Sequence, residues 1–207
     1  IIDAELMGKG EKEKKDLYIE GVQNNGIINH YEYIINSEGT IEIRHVLKPE
    51  GKMPLWFPRI GLTLTVSDAL DQVKWYGRGP QENYPDRKTG YPMGIYASTV
   101  QAMYEPYLMP QDYGLRTDVR WLQLTTDKGI GLQFKMNEWF NFNIYPYSTD
   151  NLTKAMYTYQ LQKQKGMTLN LDYATTGVGC TARGVFGAYQ AMPQEYRRTI
   201  SIRPMMK

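Results

Sequence analysis

The chain has little of what metal sites and redox centres are made from. Its 207 residues include one cysteine, Cys180, and two histidines, His30 and His45. A lone cysteine cannot form an internal disulfide, and so few ligands do not make an ordinary zinc site. We expect Cys180 to be a small buried residue, because no histidine motif accompanies it. Both histidines are predicted to face solvent or to make a single hydrogen bond on strands. We predict no metal or cofactor in this chain.

Excess charge and long hydrophobic runs are also missing. The 24 basic and 22 acidic residues leave a formal charge of +2, which gives no electrostatic attraction to nucleic acid. No apolar run reaches the roughly 18 residues that a membrane-spanning helix needs, so we predict no membrane partner. The balance of 42% hydrophobic and 22% charged residues is instead typical of a globular domain.

What the chain does have is aromatic residues and strand-like alternation. Its 17 tyrosines and 4 tryptophans fit β-strands, which favour aromatic side chains, or a sugar-binding surface on which flat rings stack. Period-two alternation broken by turn residues predicts roughly ten to twelve short strands and no repeating βαβ pattern. We therefore predict one all-β domain, an antiparallel sandwich with at most one short helix. The predicted strands cover 27–35, 40–47, one or two strands with a bulge within 55–66, 73–76, 119–125, 131–136, 140–145, 154–162, 168–173, 185–190 and 196–202, with the helix at 152–156.

Residues 77–87 form the most distinctive segment. The sequence there is GRGPQENYPDR, which combines two glycines and two prolines with charged, amide and aromatic side chains. Glycine permits tight turns and proline fixes φ, so this segment, which we call the elbow, is predicted to be a rigid polar surface at a site or interface. The chain is predicted to stay irregular from the elbow to about residue 113.

Two acidic side chains of the elbow allow two interpretations. Glu82 and Asp86 could converge as the carboxylate pair that glycoside hydrolysis requires. They could equally form ion pairs with Arg78 and Arg87, which lie beside them in the sequence. We favour the ion pairs, because a paired carboxylate is poorly suited to act as a general acid.

Two further patterns are given structural interpretations. Residues 177–179, a Gly-Val-Gly stretch, lack the phosphate-loop patterns and are predicted to form a turn. In the strand at 140–145, Phe140 and Phe142 share one face, and Asn141 and Asn143 are expected to face solvent on the other.

The elbow and several later motifs resemble a known family. They agree in order and spacing, from about residue 31 to 203, with the C-terminal domain of LacZ-type bacterial β-galactosidases of glycoside hydrolase family 2, which is also the small chain of two-subunit β-galactosidases. The motifs are GRGPQENYPDR at 77–87, MYEPY at 103–107, PQDYGLR at 110–116, FNIYPYS at 142–148, LNLD at 169–172 and GVG at 177–179.

The resemblance implies a galactose-mutarotase-like β supersandwich in a parent enzyme that hydrolyses terminal β-D-galactosides with retention. The catalytic glutamates, and the family's Mg and Na, would lie in a barrel domain outside this chain, so the isolated chain is expected to be inactive. Residues 1–207 would be one domain, truncated at its N-terminus. The implied partners are the other domains or large subunit, and the galactoside. We expect a soluble protein of the bacterial cytoplasm or periplasm, with a homo-oligomeric parent.

The resemblance also implies site residues. The family's domain supplies a tryptophan to the substrate pocket shortly after the GVG stretch, and this chain has none there, so Arg183 and Thr181 are its pocket candidates. A structural or interface role is implied for Arg78, Glu82, Asn83, Tyr84, Asp86, Arg87 and Arg116. Two alternatives are a free-standing carbohydrate-binding module and a mutarotase or epimerase. The second is disfavoured because it needs a positioned histidine and acid.

Overall fold

The computed structural model describes residues 14–15, 26–180 and 184–206, and their regular structure is almost entirely β. The predicted all-β antiparallel class is confirmed, since every strand pairing is antiparallel. The elements are β1 (Lys14–Lys15), β2 (Gly26–Ile35), β3 (Ile41–Glu50), β4 (Arg59–Val66), β5 (Gln72–Arg78), β6 (Met93–Thr99), β7 (Arg116–Thr125), β8 (Gly131–Tyr145), α1 (Thr149–Lys154), β9 (Met167–Thr175) and β10 (Tyr196–Met205).

The strands form two branches that share β8. The main branch runs β1-β2-β3-β10-β8-β7-β5-β6, and a second branch adds β9 and then β4 to β8. Residues 131–136 of β8 pair with β10, whereas residues 141–145 pair with β9. Buried apolar residues of both branches meet in one core cluster, which gives the sandwich-like arrangement. Its members include Ile43, Leu64, Trp75, Leu122, Phe134, Phe142, Leu169 and Ile200.

Strand β9 is buried on both faces, and its sequence alternates accordingly. Leu169 and Leu171 enter the apolar core, while Asn170 and Asp172 lie on the opposite face and are also buried. Buried polar groups need hydrogen-bond partners, and Asn170 Nδ2 finds one in Asn143 Oδ1 at 2.8 Å. This second face is therefore an internal polar layer rather than a solvated surface.

The internal polar layer overturns the prediction that Asn143 faces solvent, whereas Asn141 is half-buried. Asn143 is fully buried and donates from Nδ2 to Asp112 Oδ1 at 2.9 Å. Its Oδ1 also accepts from Arg59 Nη2 at 3.2 Å, and Arg59 pairs with Asp172 at 2.6 Å. Alternation along one strand identifies the apolar face but not what covers the other face. The predicted burial of Phe140 and Phe142 on one face is confirmed.

Most predicted elements are present, and four predictions differ. The two strands predicted at 131–136 and 140–145 form one continuous strand, β8. The irregular region contains β6, an edge strand with alternate residues exposed, so it carries no core pattern. The segments at 154–162 and 185–190 form short 3₁₀ turns at Thr158–Gln160 and Gly187–Tyr189 instead of strands. The short helix is confirmed, and it begins earlier than predicted because Ser148 Oγ caps it by accepting from Asn151 N at 3.0 Å.

Candidate functional site

The elbow begins with the last two residues of β5, Gly77 and Arg78, and closes into a tight turn. Tyr84 N donates to Arg87 O at 3.3 Å, and Arg87 N donates to Tyr84 O at 2.8 Å. Pro85 fixes the backbone within this turn. Asp86 therefore lies near its tip, where its side chain can reach another segment.

Glu82 is an internal acceptor that holds the elbow together. Its side chain is nearly buried and its Oε2 accepts from Gly114 N at 2.9 Å and from Tyr84 Oη at 3.0 Å. The other oxygen, Oε1, accepts from Arg87 Nη2 at 3.0 Å and from the Tyr107 hydroxyl. The ion-pair interpretation is therefore confirmed for Glu82 with Arg87.

Asn83 fastens the elbow to the start of β7. It is 0% exposed, and its backbone N donates to Leu115 O at 2.8 Å. Its Oδ1 accepts from both Thr117 N, at 3.1 Å, and Thr117 Oγ1, at 2.5 Å, while Nδ2 donates to Gln81 O at 3.1 Å. Such a fully bonded buried amide fixes the register of two segments.

Arg116 binds backbone carbonyl groups of the elbow and of Gly114 rather than a carboxylate. Its guanidinium donates to Pro80 O at 3.0 Å and to Gly114 O at 2.8 Å, and it lies 5.4 Å from the centre of the Trp75 ring. Burial lowers the pKa of Arg116 to about 10, and the neighbouring Glu105 only partly opposes that shift.

Arg78 pairs with Asp118, so its predicted pairing with an elbow carboxylate is wrong. Arg78 Nε donates to Asp118 Oδ2 at 2.6 Å, and Nη1 donates to Tyr91 O at 2.9 Å. Lys88 Nζ binds the same carboxylate at 2.9 Å. Burial acts to raise the pKa of Asp118, and the bonds from Arg78 and Lys88 outweigh it, so that pKa is lowered. Asp118 has a φ of 57°, which is strained for a residue with a side chain.

Asp86 binds backbone rather than arginine, which corrects the prediction for the second elbow acid. Its Oδ1 accepts from Val178 N at 3.0 Å and its Oδ2 from Gly179 N at 2.7 Å. The predicted turn at residues 177–179 is therefore an acceptor site for a side chain 92 residues away in the sequence. Local patterns carry no signal for this partnership.

A groove of about 360 Å³ lies beside the elbow. Its walls come from the elbow, β7, β8, β9 and the segment at 188–198; they include Lys88, Asp118, Trp139, Tyr173, Tyr189 and Arg198. Trp139 is 58% exposed, and Arg120 stacks on its ring with 3.3 Å between guanidinium carbon and ring centre. The combination of exposed aromatic and charged groups is typical of a site for a polar ligand with an apolar face.

A family model of the beta galactosidase small chain matches residues 6–202. The chain belongs to the β-galactosidase small-chain family. The resemblance in the elbow and later motifs is thereby confirmed.

Curated relatives of this small-chain domain are bacterial β-galactosidases. The β-galactosidase of Priestia megaterium is 38% identical over 147 residues, which cover 71% of this chain and 14% of the relative. That of Vibrio cholerae is 39% identical over 122 residues, covering 59% and 11%. That of Pseudoalteromonas haloplanktis is 34% identical over 148 residues, covering 71% and 14%. The small-chain domain thus aligns with only 11–14% of the length of these relatives.

The predicted pocket candidates of the small-chain domain, Thr181 and Arg183, lie outside the described residues. The chain on either side of them is described, and Cys180 pairs with Gly184 as an isolated bridge. Cys180 is exposed, so its predicted burial is wrong. Within residues 26–180 and 184–206, no group of three His, Cys, Asp or Glu side chains is arranged to hold a metal ion. No helix in that part of the chain is long and apolar enough to cross a membrane.

Behind the groove, His45 is buried and makes two hydrogen bonds, which corrects its predicted exposure. Its Nδ1 accepts from Tyr173 Oη at 2.7 Å, because Nε2 donates to Asn29 Oδ1 at 3.0 Å. Tyr31 stacks on the ring at 4.1 Å, and burial lowers the pKa of His45 to about 4. Period-two alternation with Ile43 could have found this position, since both point to the buried face of β3. His30 is exposed, as predicted.

Proposed function

We propose that this chain is the C-terminal domain of a β-galactosidase that hydrolyses terminal β-D-galactosides with retention, and that it shapes the substrate pocket without supplying the catalytic carboxylates. The observation that supports the non-catalytic role is the hydrogen bonding of the two elbow carboxylates. Glu82 accepts from four donors, and Asp86 accepts from two backbone N–H groups. Carboxylates saturated in this way serve structure rather than attack or proton transfer at a sugar.

The rest of the parent polypeptide is the proposed partner. The relatives extend far beyond this domain, which aligns with 11–14% of their length. An outward-facing apolar row crosses three strands through the register pairs Ile95↔Tyr76 and Tyr76↔Trp121, and Ile95 is 62% exposed. An exposed apolar row beside an edge strand is suited to contact with another domain or subunit. In this proposal the family's Mg and Na belong to the barrel, and the parent assembles from identical copies.

The groove is the proposed contribution to the galactoside pocket. Residues 188–192 provide one wall, and the pocket candidates Thr181 and Arg183 precede this wall in the sequence. An aromatic surface such as Trp139 suits the apolar face of a sugar ring, and polar groups such as Asp118 suit its hydroxyls.

Turnover of a nitrophenyl β-D-galactoside tests the proposal in three proteins. The full-length parent should release nitrophenol, and a parent lacking this domain should lose most of that activity. The isolated chain should release none and should give little heat when galactosides are titrated into it. Turnover by the isolated chain that Glu82→Gln abolishes would contradict the non-catalytic role. Retention is tested separately by NMR of the anomer first released from the parent.

A further inference from the structure

One side chain binds the backbone that supports a wall of the groove. Residues 188–192 form this wall. Gly177 bonds to the wall, and the next two N–H groups, those of Val178 and Gly179, both donate to the carboxylate of Asp86. The groove wall is therefore attached to the elbow by a charged group.

The shape of this contact is that of an anion-binding nest. Two successive backbone N–H groups enclose the carboxylate, and Gly179 has the positive φ of 67° that such a concave backbone requires. Hydrogen bonds to an ionised acceptor are roughly twice as strong as neutral ones. The nest gives the wall a strong and directional attachment.

Gly177 makes the fit between the two segments specific. A Cβ atom at this position would lie 2.3 Å from Asp86 Cγ and 2.5 Å from its Oδ1. Such contacts are far inside van der Waals distance, so the backbone at 177 can approach only because it carries no side chain. The aspartate and the glycine therefore form one packed unit.

The attachment continues into the wall at one end and into the rigid elbow at the other. Gly177 N donates to Tyr189 O at 2.9 Å, and this bond connects the turn at 177–179 to the groove wall. On the elbow side, the buried Glu82 and Asn83 bind the segments before and within β7. Asp86 consequently connects the rigid elbow to the backbone that bonds to the groove wall.

We propose that Asp86 is a positioning residue of the galactoside pocket, whose carboxylate holds residues 177–179, and through them the wall at 188–192, in the conformation that receives the substrate. This inference rests on the proposed function, and it assigns Asp86 an action through the wall rather than contact with the sugar. Its loss should weaken substrate binding more than it slows the chemistry, because the reacting groups lie elsewhere.

The first test is Asp86→Asn in the full-length parent. Asparagine keeps the shape but turns one oxygen into an NH₂ group, which faces a backbone N–H instead of accepting from it. We expect KM for a nitrophenyl β-D-galactoside to rise about tenfold with kcat changed by less than about twofold. Amide exchange at Val178 and Gly179 should become faster. The control, Asp127→Asn in the exposed turn after β7, should leave all three unchanged.

The second test perturbs the contact from the wall. Gly177→Ala alone should raise KM as Asp86→Asn does, since its methyl group collides with the carboxylate. In an Asp86→Ala background the same methyl has the vacated space, so the double variant should have the KM of Asp86→Ala alone. Independent, multiplying effects of the two substitutions would contradict the proposed unit.

The outcomes separate this inference from the proposed function. A full-length parent that hydrolyses no galactoside defeats the proposed function. Amide exchange at Val178 and Gly179 still tests whether Asp86 holds residues 177–179. An active parent in which Asp86→Asn and Gly177→Ala keep the wild-type KM defeats the inference alone. A lower melting temperature with unchanged KM would likewise overturn it, because Asp86 would then only stabilise the fold.

Discussion

At the residue scale, two acids of one short segment have opposite partners. Glu82 is buried and accepts hydrogen bonds from its own loop and from Gly114. Asp86 instead accepts from the backbone of Val178, which is distant in the sequence. The sequence predicted that both acids are structural but only the partner of Glu82, because Arg87 is nearby in the chain and Val178 is not. Asp118 was missed for the same reason: its partners Arg78 and Lys88 approach it from another strand and loop.

His45 makes a prediction about pH. Burial moves its pKa from an ordinary 6.5 to about 4, so between these values the unfolded chain binds a proton that the fold excludes. Stability should therefore fall as the pH drops through that window, by about 3 kcal/mol in total from this group. Chemical denaturation at pH 7, 5.5 and 4 should show a steeper loss in the wild-type domain than in His45→Gln. Parallel losses in the two proteins would exclude His45 as the cause.

At the element scale, alternation predicted most of the strands but not which side chains their bulges redirect. Period-two alternation found most of the strands because one face of each enters the apolar core. It also predicted a bulge within 55–66, and the pairing of β4 with β9 does shift between Ile60 and Gly61, leaving Tyr173 as the extra residue. In the edge strand β6 only Tyr96 packs against the core, and alternation gave no signal there. Which side chain a bulge redirects toward the groove depends on pairing across the sheet, which is not visible in one strand.

The bulge predicts an intolerance to side chains at Gly61. A Cβ atom there would lie 2.3 Å from Leu171 O and 2.6 Å from Asp172 Cα, both backbone atoms that cannot move independently. Gly61→Ala should cost about 2 kcal/mol or more in denaturant unfolding. Gly90→Ala is the matched control, because a Cβ atom there meets nothing within 4 Å, and it should be close to neutral. Equal effects at the two positions would contradict this account of the bulge.

At the scale of the whole molecule, the chain aligns with only 11–14% of the length of the relatives compared above. The family and the all-β class were predicted from motif order and strand count. The groove could not be predicted, since its walls come from five separate parts of the chain. Nor could the outer apolar row, because its members Ile95, Tyr76 and Trp121 become neighbours only through the register of β5 with β6 and β7.

The outer row predicts where assembly will be sensitive. Ile95→Arg places a charge at the edge-strand end of the proposed contact, so the full-length parent should lose activity and assemble poorly by sedimentation. The melting temperature of the isolated domain should hardly change, because Ile95 is already exposed. Ile130→Arg, at an exposed turn position, should affect neither measurement. Normal assembly of the Ile95→Arg parent would show that the row faces solvent there too.

The position of β10 has a consequence for synthesis. Among the described strands it comes last in the sequence, yet it lies between β3 and β8 near the middle of the main branch. Until the ribosome has released β10, no described backbone pairing links the β2–β3 hairpin to the remainder of the branch. Until translation has passed residue 205, that hairpin, with its exposed tyrosines at 31 and 33, can therefore be held to the rest of the branch only by side-chain contacts such as the hydrogen bond of His45 with Tyr173.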